Sequence, residues 1–540
     1  MSKLVIVNRI SYFARKLRIV MVTITPLDGE FWWGGTIDIG TLAPLGGSSF
    51  TCDLSRATIL PSGAPCSSSQ SAPILVSTRG RTLTSESPFT YQFTKTAIRV
   101  TGEAQLDHPG QGLAEAFQHA MLTHFPPTGS HPAFELLTAP QYNTWIETPY
   151  LPTEDSVLRY VDAILAADLP PGTLMIDDNW APDYGDWVFD ARRFPHPQQM
   201  LTDLHARGFY VMLWLVPFVS PDSASFRALE KDGLLLRNGD GTTAIRSWWN
   251  GYSAILDITH PQAREWLSQR LDALIELGVD GFKYDAGDVS FYRPDDLSFG
   301  MCSPVEHMQA WAEYGQRTPF NEYRSCWKLG GRGLGQRLRD KPPQWGSEGI
   351  ESLIPEVLGQ AMIGHYYTCP DMIGGGELNT CSVQTTIDQE FVVRYAQIAA
   401  LMPMMQFSMN PARILDTKHL QMVHAALKLR AEMMPLILRL ARTASDKGIP
   451  IVRPLAFHCS DPHAAAINDQ FFLGEDMVIA PQVEQGASSR RVFLPSGSWV
   501  SDRGEIVRVA GCYKNGLADG GEWFEVETPL ERLVYFTRNL

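Results

Sequence analysis

Gly281-Phe282-Lys283-Tyr284-Asp285-Ala286-Gly287-Asp288 is the stretch whose reading decides the fold. An apolar helical segment, 266–278, runs before it. Val279-Asp280-Gly281-Phe282 then reads as entry into a short buried strand. The strand ends on a carboxylate, Asp285, followed by the small Ala286-Gly287 pair. A helix, then a strand ending in Asp and opening into a loop, is how a barrel of parallel strands presents chemical groups at its C-terminal rim. Asp280 and Asp288 bracket Asp285, and Lys283 lies two residues before it on the same strand face. A lone Asp here would equally suit a surface turn, so the surrounding chain has to decide.

Working outward, residues 134–447 alternate strands with helices. A helix over 153–167 starts at a Thr-x-x-Ser cap. Thr173-Leu174-Met175-Ile176 is a buried strand that ends in Asp177-Asp178. A helix over 198–207 leads to the strand 210–217, and the helix 261–277 leads to the opening stretch. Helices over 350–359, 389–402 and 419–441 flank short strands at 364–368 and 404–408, and His365 is read inside the first of these. Successive βα units over ~300 residues imply a parallel (β/α)8 TIM barrel in the α/β class. The flanks differ. Residues 21–133 carry short strands between Gly- and Pro-rich turns, with one helix at 113–122; residues 448–540 return to strands and turns. Both read as β-sandwiches. Residues 1–20 read as an N-terminal extension.

A chain of 540 residues is long enough for this many cores. Hydrophobic residues make up 44% and charged residues 19%, an ordinary globular balance. The net charge of −14 argues against tracking nucleic-acid phosphates or binding acidic membranes. No run reaches the ~18 apolar residues a membrane span needs, and the N-terminus lacks a continuous apolar stretch with a cleavage site. These points lead to the expectation of a cytoplasmic chain without a membrane span. The eight cysteines form no CxxC pair and no zinc spacing, so neither metal nor cofactor is expected.

The barrel reading gathers four strand-end acids on one rim: Asp177, Asp178, Asp285 and Asp371. Such acids can hold a metal, abstract a proton or act on sugars. The strand ends supply no His beyond His365, and paired carboxylates cleave glycosides without a metal. The abundant aromatics, 14 Trp, 17 Tyr and 25 Phe, suit sugar stacking and a large core equally.

Here the residues resemble a family. Phe282-Lys283-Tyr284-Asp285-Ala286-Gly287-Asp288 is similar to the nucleophile motif of glycoside hydrolase family 31 in its Lys-x-Asp-x-Gly-Glu form. Segments 70–80, 175–180, 344–355, 370–375, 469–474, 478–481 and 494–499 resemble further motifs of that family in the right order. Segments 344–355 and 370–375 are closest in kind to its branch with the myogenesis-regulating glycosidase and bacterial α-galactosidases. The resemblance implies a retaining exo-α-glycosidase, most readily an α-galactosidase, acting on an oligosaccharide or glycoside, with self-association left open. It implies Asp285 as nucleophile. Arg324 matches the family's sugar-contacting Arg, and Asp340, sixteen residues on, matches the acid/base, with Glu348 in reserve. Asp177, Asp178, Trp214, Lys283, Arg324 and Asp371 are the expected substrate-binding residues, Asp371 either lining the pocket or capping the Gly374-Gly375-Gly376 loop.

The family's chemistry needs Asp285 ionised, with Lys283 and Arg324 keeping it so, and Asp340 in a setting that raises its proton affinity. Two departures stand out. Asp288 replaces the usual Glu, and Arg339 replaces the Gly that precedes the acid/base. Pro411 stands where α-glucosidases carry a sugar-binding His, which favours the galactosidase-like branch. An α-glucosidase, α-xylosidase or sulfoquinovosidase, an α-galactosidase of the related families 27 or 36, and a non-catalytic sugar binder are the other readings.

Overall fold

A computed structural model describes residues 21–60, 62–66, 70–380, 382 and 384–539. The extension 1–20, residues 67–69, and Pro61, Cys381, Val383 and Leu540 lie outside the described residues.

Eight parallel barrel strands carry the centre of the molecule. In chain order they are Gln141–Asn143, Thr173–Ile176, Tyr210–Leu215, Gly281–Tyr284, Phe320–Tyr323, Gly335–Arg337, the split pair Tyr367–Cys369 and Met372–Ile373, and Gln406–Phe407. The seventh breaks at Pro370-Asp371, where Asp371 takes φ 61°. Its first half pairs with the sixth strand and its second half with the eighth, and the eighth pairs with the first. One broken strand therefore closes the ring. The strands are largely buried; the second reads as a short apolar run without alternation, whereas the first, fifth, sixth and eighth carry polar side chains.

The helices form where the sequence carries their start and stop signals. Thr153 and Ser156 exchange the reciprocal bonds of a capping box ahead of the helix Glu154–Ala166. Pro261 opens Pro261–Leu277 at its first turn, and Gly278 closes it at φ 119°. Pro304–Gly315, Leu353–Met362, Gln389–Ala400 and the 31-residue Thr417–Lys447 continue the outer layer.

Two features break the regular barrel pattern, and a third corrects the sequence reading. No helix follows the fifth strand. In its place Cys326–Trp327 pairs in parallel with Gln70–Ser77 of the N-terminal region. After the third strand the chain leaves the barrel to build a small sheet in the order Phe218–Val219, Gly251–Ile255, Ile245–Trp248. His365 lies ahead of its strand, not inside it, and burial holds its imidazole down at about 3.

Two β-rich regions flank the barrel. On the N-terminal side a four-stranded sheet, Met21–Ile24, Ile98–Thr101, Thr90–Phe93 and Phe50–Asp53, faces a second sheet built on Gln70–Ser77. On the C-terminal side a six-stranded sheet packs with the antiparallel pair Ser489–Pro495 and Gly521–Glu527 around Phe472, Phe493 and Trp499. Among the described residues no helix is long and apolar enough to cross a membrane.

Candidate active site

The site is built from strand ends. Gly281–Tyr284 delivers Asp285 to the rim, and the chain then turns sharply. Ala286 and Gly287 take φ 53° and 72°. A Cβ on Gly287 would meet Trp311 Cδ1 at 2.5 Å, so only glycine fits there. Trp311 Nε1 donates to the Asp285 carbonyl at 3.2 Å, Ser325 Oγ donates to the Ala286 carbonyl at 2.8 Å, and the Ala286 N–H donates to Asp285 Oδ1 at 2.8 Å. The carboxylate is thus aimed by its own turn.

Two cations and an indole then hold it. Arg324 Nε lies 3.1 Å from Asp285 Oδ1, Lys283 Nζ lies 3.7 Å from Oδ2, and Trp214 Nε1 donates to Oδ2 at 2.8 Å. Burial alone would raise the Asp285 carboxyl. Arg324, Lys283 and Arg337 outweigh it and hold the group far below the usual carboxylate range. Trp214 is itself fixed by Trp180, whose Nε1 donates to its carbonyl at 2.8 Å. Trp214, expected among the substrate-binding residues, is 2% exposed and turns its indole edge to Asp285.

Arg324 also reaches Asp340: its Nη1 lies 3.2 Å from Asp340 Oδ2. Arg337 Nη1 donates to Asp340 Oδ1 at 2.8 Å. One guanidinium therefore spans Asp285 and Asp340. The Asp340 side chain is 26% exposed against 7% for Asp285, so it faces the open end of the site. Its proton affinity runs opposite to the sequence reading. Burial raises it, as does the charge of Asp285, but Arg337, Arg324 and Lys283 together pull it below the ordinary range. Glu348, the reserve position, lies apart and accepts from the Ser62 N–H at 2.9 Å.

Lys283 Nζ donates to Asp177 Oδ2 at 2.8 Å. It pins two carboxylates, and those two acids raise its own proton affinity against the opposing effect of burial. Asp178 accepts from Tyr184 Oη at 3.0 Å and from Asn250 Nδ2 at 2.6 Å. Burial and the neighbouring Asp177 push it up to about 7. Asn250 lies in the turn between two strands of the small extra sheet, so that insertion touches the rim. The adjacent Trp249 lays its ring 5.1 Å from the Arg324 guanidinium carbon and stays 41% exposed.

Asp371 stands one layer behind. It is fully buried, accepts from Arg337 Nη1, and accepts from the Lys341 N–H at 2.7 Å. It neither faces the opening nor caps the glycine loop; it anchors the backbone next to Asp340. Asp288 is also buried, and neither of its oxygens meets a donor from another residue. Burial, with Asp285 adding to it and Arg324 opposing, raises its carboxyl to about 7.

Sequence reasoning missed the residues that link these groups. Asn143 Nδ2 donates to Asp177 Oδ2 at 2.9 Å and to Gln406 Oε1 at 3.3 Å. Gln406 Nε2 donates to Glu322 Oε2 at 2.7 Å, and Arg337 Nε donates to Glu322 Oε1 at 3.0 Å. A polar ring thus runs inside the barrel through Asp177, Asn143, Gln406, Glu322, Arg337, Asp340, Arg324, Asp285 and Lys283. Buried ions need such partners, because an unpaired one is costly. The available signal was polar residues inside short buried strands, as in Phe320-Asn321-Glu322-Tyr323 and Gln406-Phe407.

The arrangement offers two carboxylates about one guanidinium, a donor-rich rim and a buried floor. Arg324 Nη2 is buried without a hydrogen-bond partner, a donor free for a ligand oxygen.

Comparison with known proteins agrees with this fold. The model of the family 31 glycosyl hydrolase TIM-barrel domain matches residues 138–440, and that of the family's C-terminal domain matches residues 448–539. The chain is 36% identical over 411 residues to the myogenesis-regulating glycosidase of Mus musculus, covering 74% of this chain and 57% of that one. It is 26% identical over 384 residues to a sulfoquinovosidase of Agrobacterium fabrum, covering 66% and 55%. The chain spans about half the length of these curated relatives. A Flavobacterium johnsoniae GH31 dextranase complexed with glucose superposes with a TM-score of 0.82 at 19% identity, over 96% of this chain and 66% of that one. A GH31 α-xylosidase from a soil metagenome, complexed with xylose, gives 0.78 at 20% identity, over 97% and 81%. At those identities the structures speak for the fold. The barrel match and the 36% relative speak for descent: the chain belongs to glycoside hydrolase family 31.

Proposed function

We propose that this protein is a retaining, exo-acting α-glycosidase for neutral terminal sugars, with α-galactosides as its preferred class. The observation that carries the reading is Arg324 bridging Asp285 and Asp340. Carboxylates held by neighbouring nitrogens of one guanidinium suit the close ~5–5.5 Å spacing of retaining enzymes better than the ~6.5–9.5 Å of inverting ones.

Asp285, held ionised, attacks the anomeric carbon, and Asp340 protonates the departing glycosidic oxygen. The resulting β-linked glycosyl ester on Asp285 is then hydrolysed. Asp340, now a base, takes a proton from water, and the water oxygen displaces Asp285 and leaves an α-configured sugar. Both Asp340 oxygens face a guanidinium, Oδ2 that of Arg324 and Oδ1 that of Arg337. A bound sugar gives Arg324 hydroxyl oxygens to contact, which lets Asp340 Oδ2 carry the proton.

Neutral sugars follow from the charge pairing. Lys283, Arg324 and Arg337 serve five carboxylates between them, Asp177, Asp285, Asp340, Glu322 and Asp371. Each of the three already has a carboxylate partner in the protein, which weighs against a sulfonate or uronate substrate and so against the sulfoquinovosidase alternative. Burial of Asp177 and Asp285, against the partial exposure of Asp340, favours a closed pocket and exo action. The galactoside preference rests on Lys283 and Asp177 forming a polar wall, together with Pro411 in place of the glucosidase His.

The test is release of nitrophenol from aryl α-galactoside, α-glucoside and α-xyloside by the wild type and by Asp285→Asn. Turnover of the galactoside by the wild type alone supports the reading. Equal turnover by the variant, or a wild type that binds sugar without hydrolysis, overturns it.

A further inference from the structure

We infer that Gln70, a residue of the N-terminal β region, is a positioning residue for the Asp285–Asp340 pair. The inference rests on the proposed glycosidase reading of that pair and adds a residue from outside the barrel to it.

The fifth and sixth barrel strands, which carry Arg324 and Arg337 at or just beyond their ends, are poorly joined. They share a single registered pair, Tyr323 with Gln336. The helix that would normally pack behind this junction is missing. Beyond that one pair no further ladder register joins the two strands, yet Arg324 and Arg337 must keep a fixed separation. Arg324 holds Asp285 and Asp340, and Arg337 holds Asp340 from the other side.

Gln70 bridges this gap. Its Nε2 donates to the Arg337 carbonyl at 2.6 Å and to the Arg324 carbonyl at 3.2 Å. One amide nitrogen thereby supplies cross-strand hydrogen bonds where the barrel's own ladder stops. Gln70 is in turn held on every side. Its Oε1 accepts from Gln360 Nε2 at 2.8 Å, its backbone registers with Cys326, and its carbonyl accepts from the Ile37 N–H at 3.1 Å. It is 1% exposed, so water cannot replace these bonds. Displacements of about 1 Å between reacting groups matter for rate, and Gln70 is placed to limit them without touching substrate.

The role is tested with two variants in the full chain. Gln70→Ala removes the amide. Gln70→Glu keeps the shape and replaces the donor nitrogen with an oxygen facing two carbonyls. Thr58→Val, which removes the buried hydroxyl contact to Thr36 at 2.7 Å in the same N-terminal region and leaves the Gln70 bonds in place, is the control. Each is assayed on folded protein, verified by circular dichroism, with aryl α-glycosides of graded leaving-group pKa.

Both Gln70 variants are expected to lower kcat at least tenfold with KM changed less than threefold. The loss should grow as the leaving group becomes poorer, because Asp340 is misplaced as a proton donor. The control should retain kcat within threefold. Unchanged kcat and an unchanged leaving-group dependence in whichever Gln70 variant folds would overturn the inference. So would equal losses in Gln70 variants and control, which would mark a merely structural contact. A wild type inactive on every glycoside would instead defeat the glycosidase reading itself, so the two failures are distinct.

Discussion

Replacing Lys283 with Met tests the electrostatics of the site most sharply, since the side chain keeps its length and loses its charge. Lys283 Nζ lies 3.7 Å from Asp285 Oδ2 and 2.8 Å from Asp177 Oδ2, and the residue is 3% exposed. A unit-charge pair about 4 Å apart is worth ~4 kcal/mol at an effective dielectric near 20. Arg324 and Arg337 remain, so a loss of roughly 1.5–3 kcal/mol in the ionisation of Asp285 is expected. At 1.36 kcal/mol per pH unit, the acid limb of kcat/KM should rise by about one to two units. The sign follows from the chemistry: Asp285 must be ionised to attack, and removing a cation raises its pKa, so activity fails earlier as pH falls.

Stability moves in the same sense. A depressed carboxyl contributes stability above its unfolded pKa and loses it as pH falls through the folded value. The variant's deficit should therefore be widest near neutrality and narrow below pH ~4. Opening a buried ion pair costs about 3–5 kcal/mol, read as a lower melting temperature. The assay is a pH–rate profile on a soluble aryl α-galactoside beside thermal melts at pH 4 and 7. A folded variant whose acid limb coincides with that of the wild type would refute the reasoning.

Other consequences are smaller or more local. Trp214→Phe removes the indole N–H on Asp285 Oδ2. A hydrogen bond to a charged group is worth ~1.5–3 kcal/mol, so kcat/KM should fall roughly 10- to 150-fold in steady-state assays. Asp288→Asn removes a buried carboxyl raised to about 7. That raised group destabilises progressively as pH climbs from about 4 to 7, so the variant should melt higher than the wild type at pH 8, with the gain vanishing near pH 4. Asp340→Ala with added azide should form an α-glycosyl azide, detectable by mass and NMR, because the small anion attacks the glycosyl ester without needing a base.

The legible parts of the fold were those set locally. The capping box at Thr153 and the Pro261-to-Gly278 helix frame are local hydrogen-bond and backbone signals, and both elements formed as read. The fourth barrel strand was legible because it is short and apolar, and its terminal Asp precedes a pair of residues suited to a sharp turn. The missing fifth helix and the split seventh strand were not legible. Each is decided by a partner far away in sequence, Gln70 against Cys326 and Gly335–Arg337 against Tyr367–Cys369. The environment of Asp340 was misread for the same reason. Its charge balance depends on Arg337, a residue that looks like ordinary loop cation until the barrel closes and turns it inward. Glu322 and Gln406 were invisible singly, since their meaning lies in facing one another across the barrel.

The central claim is that Asp285 and Asp340 act by double displacement. Time-resolved proton NMR of α-galactoside cleavage reads this directly through the anomer that appears before mutarotation. The account predicts the α anomer first, with β-galactose growing in only slowly. Appearance of the β anomer first would mean single displacement and would contradict it.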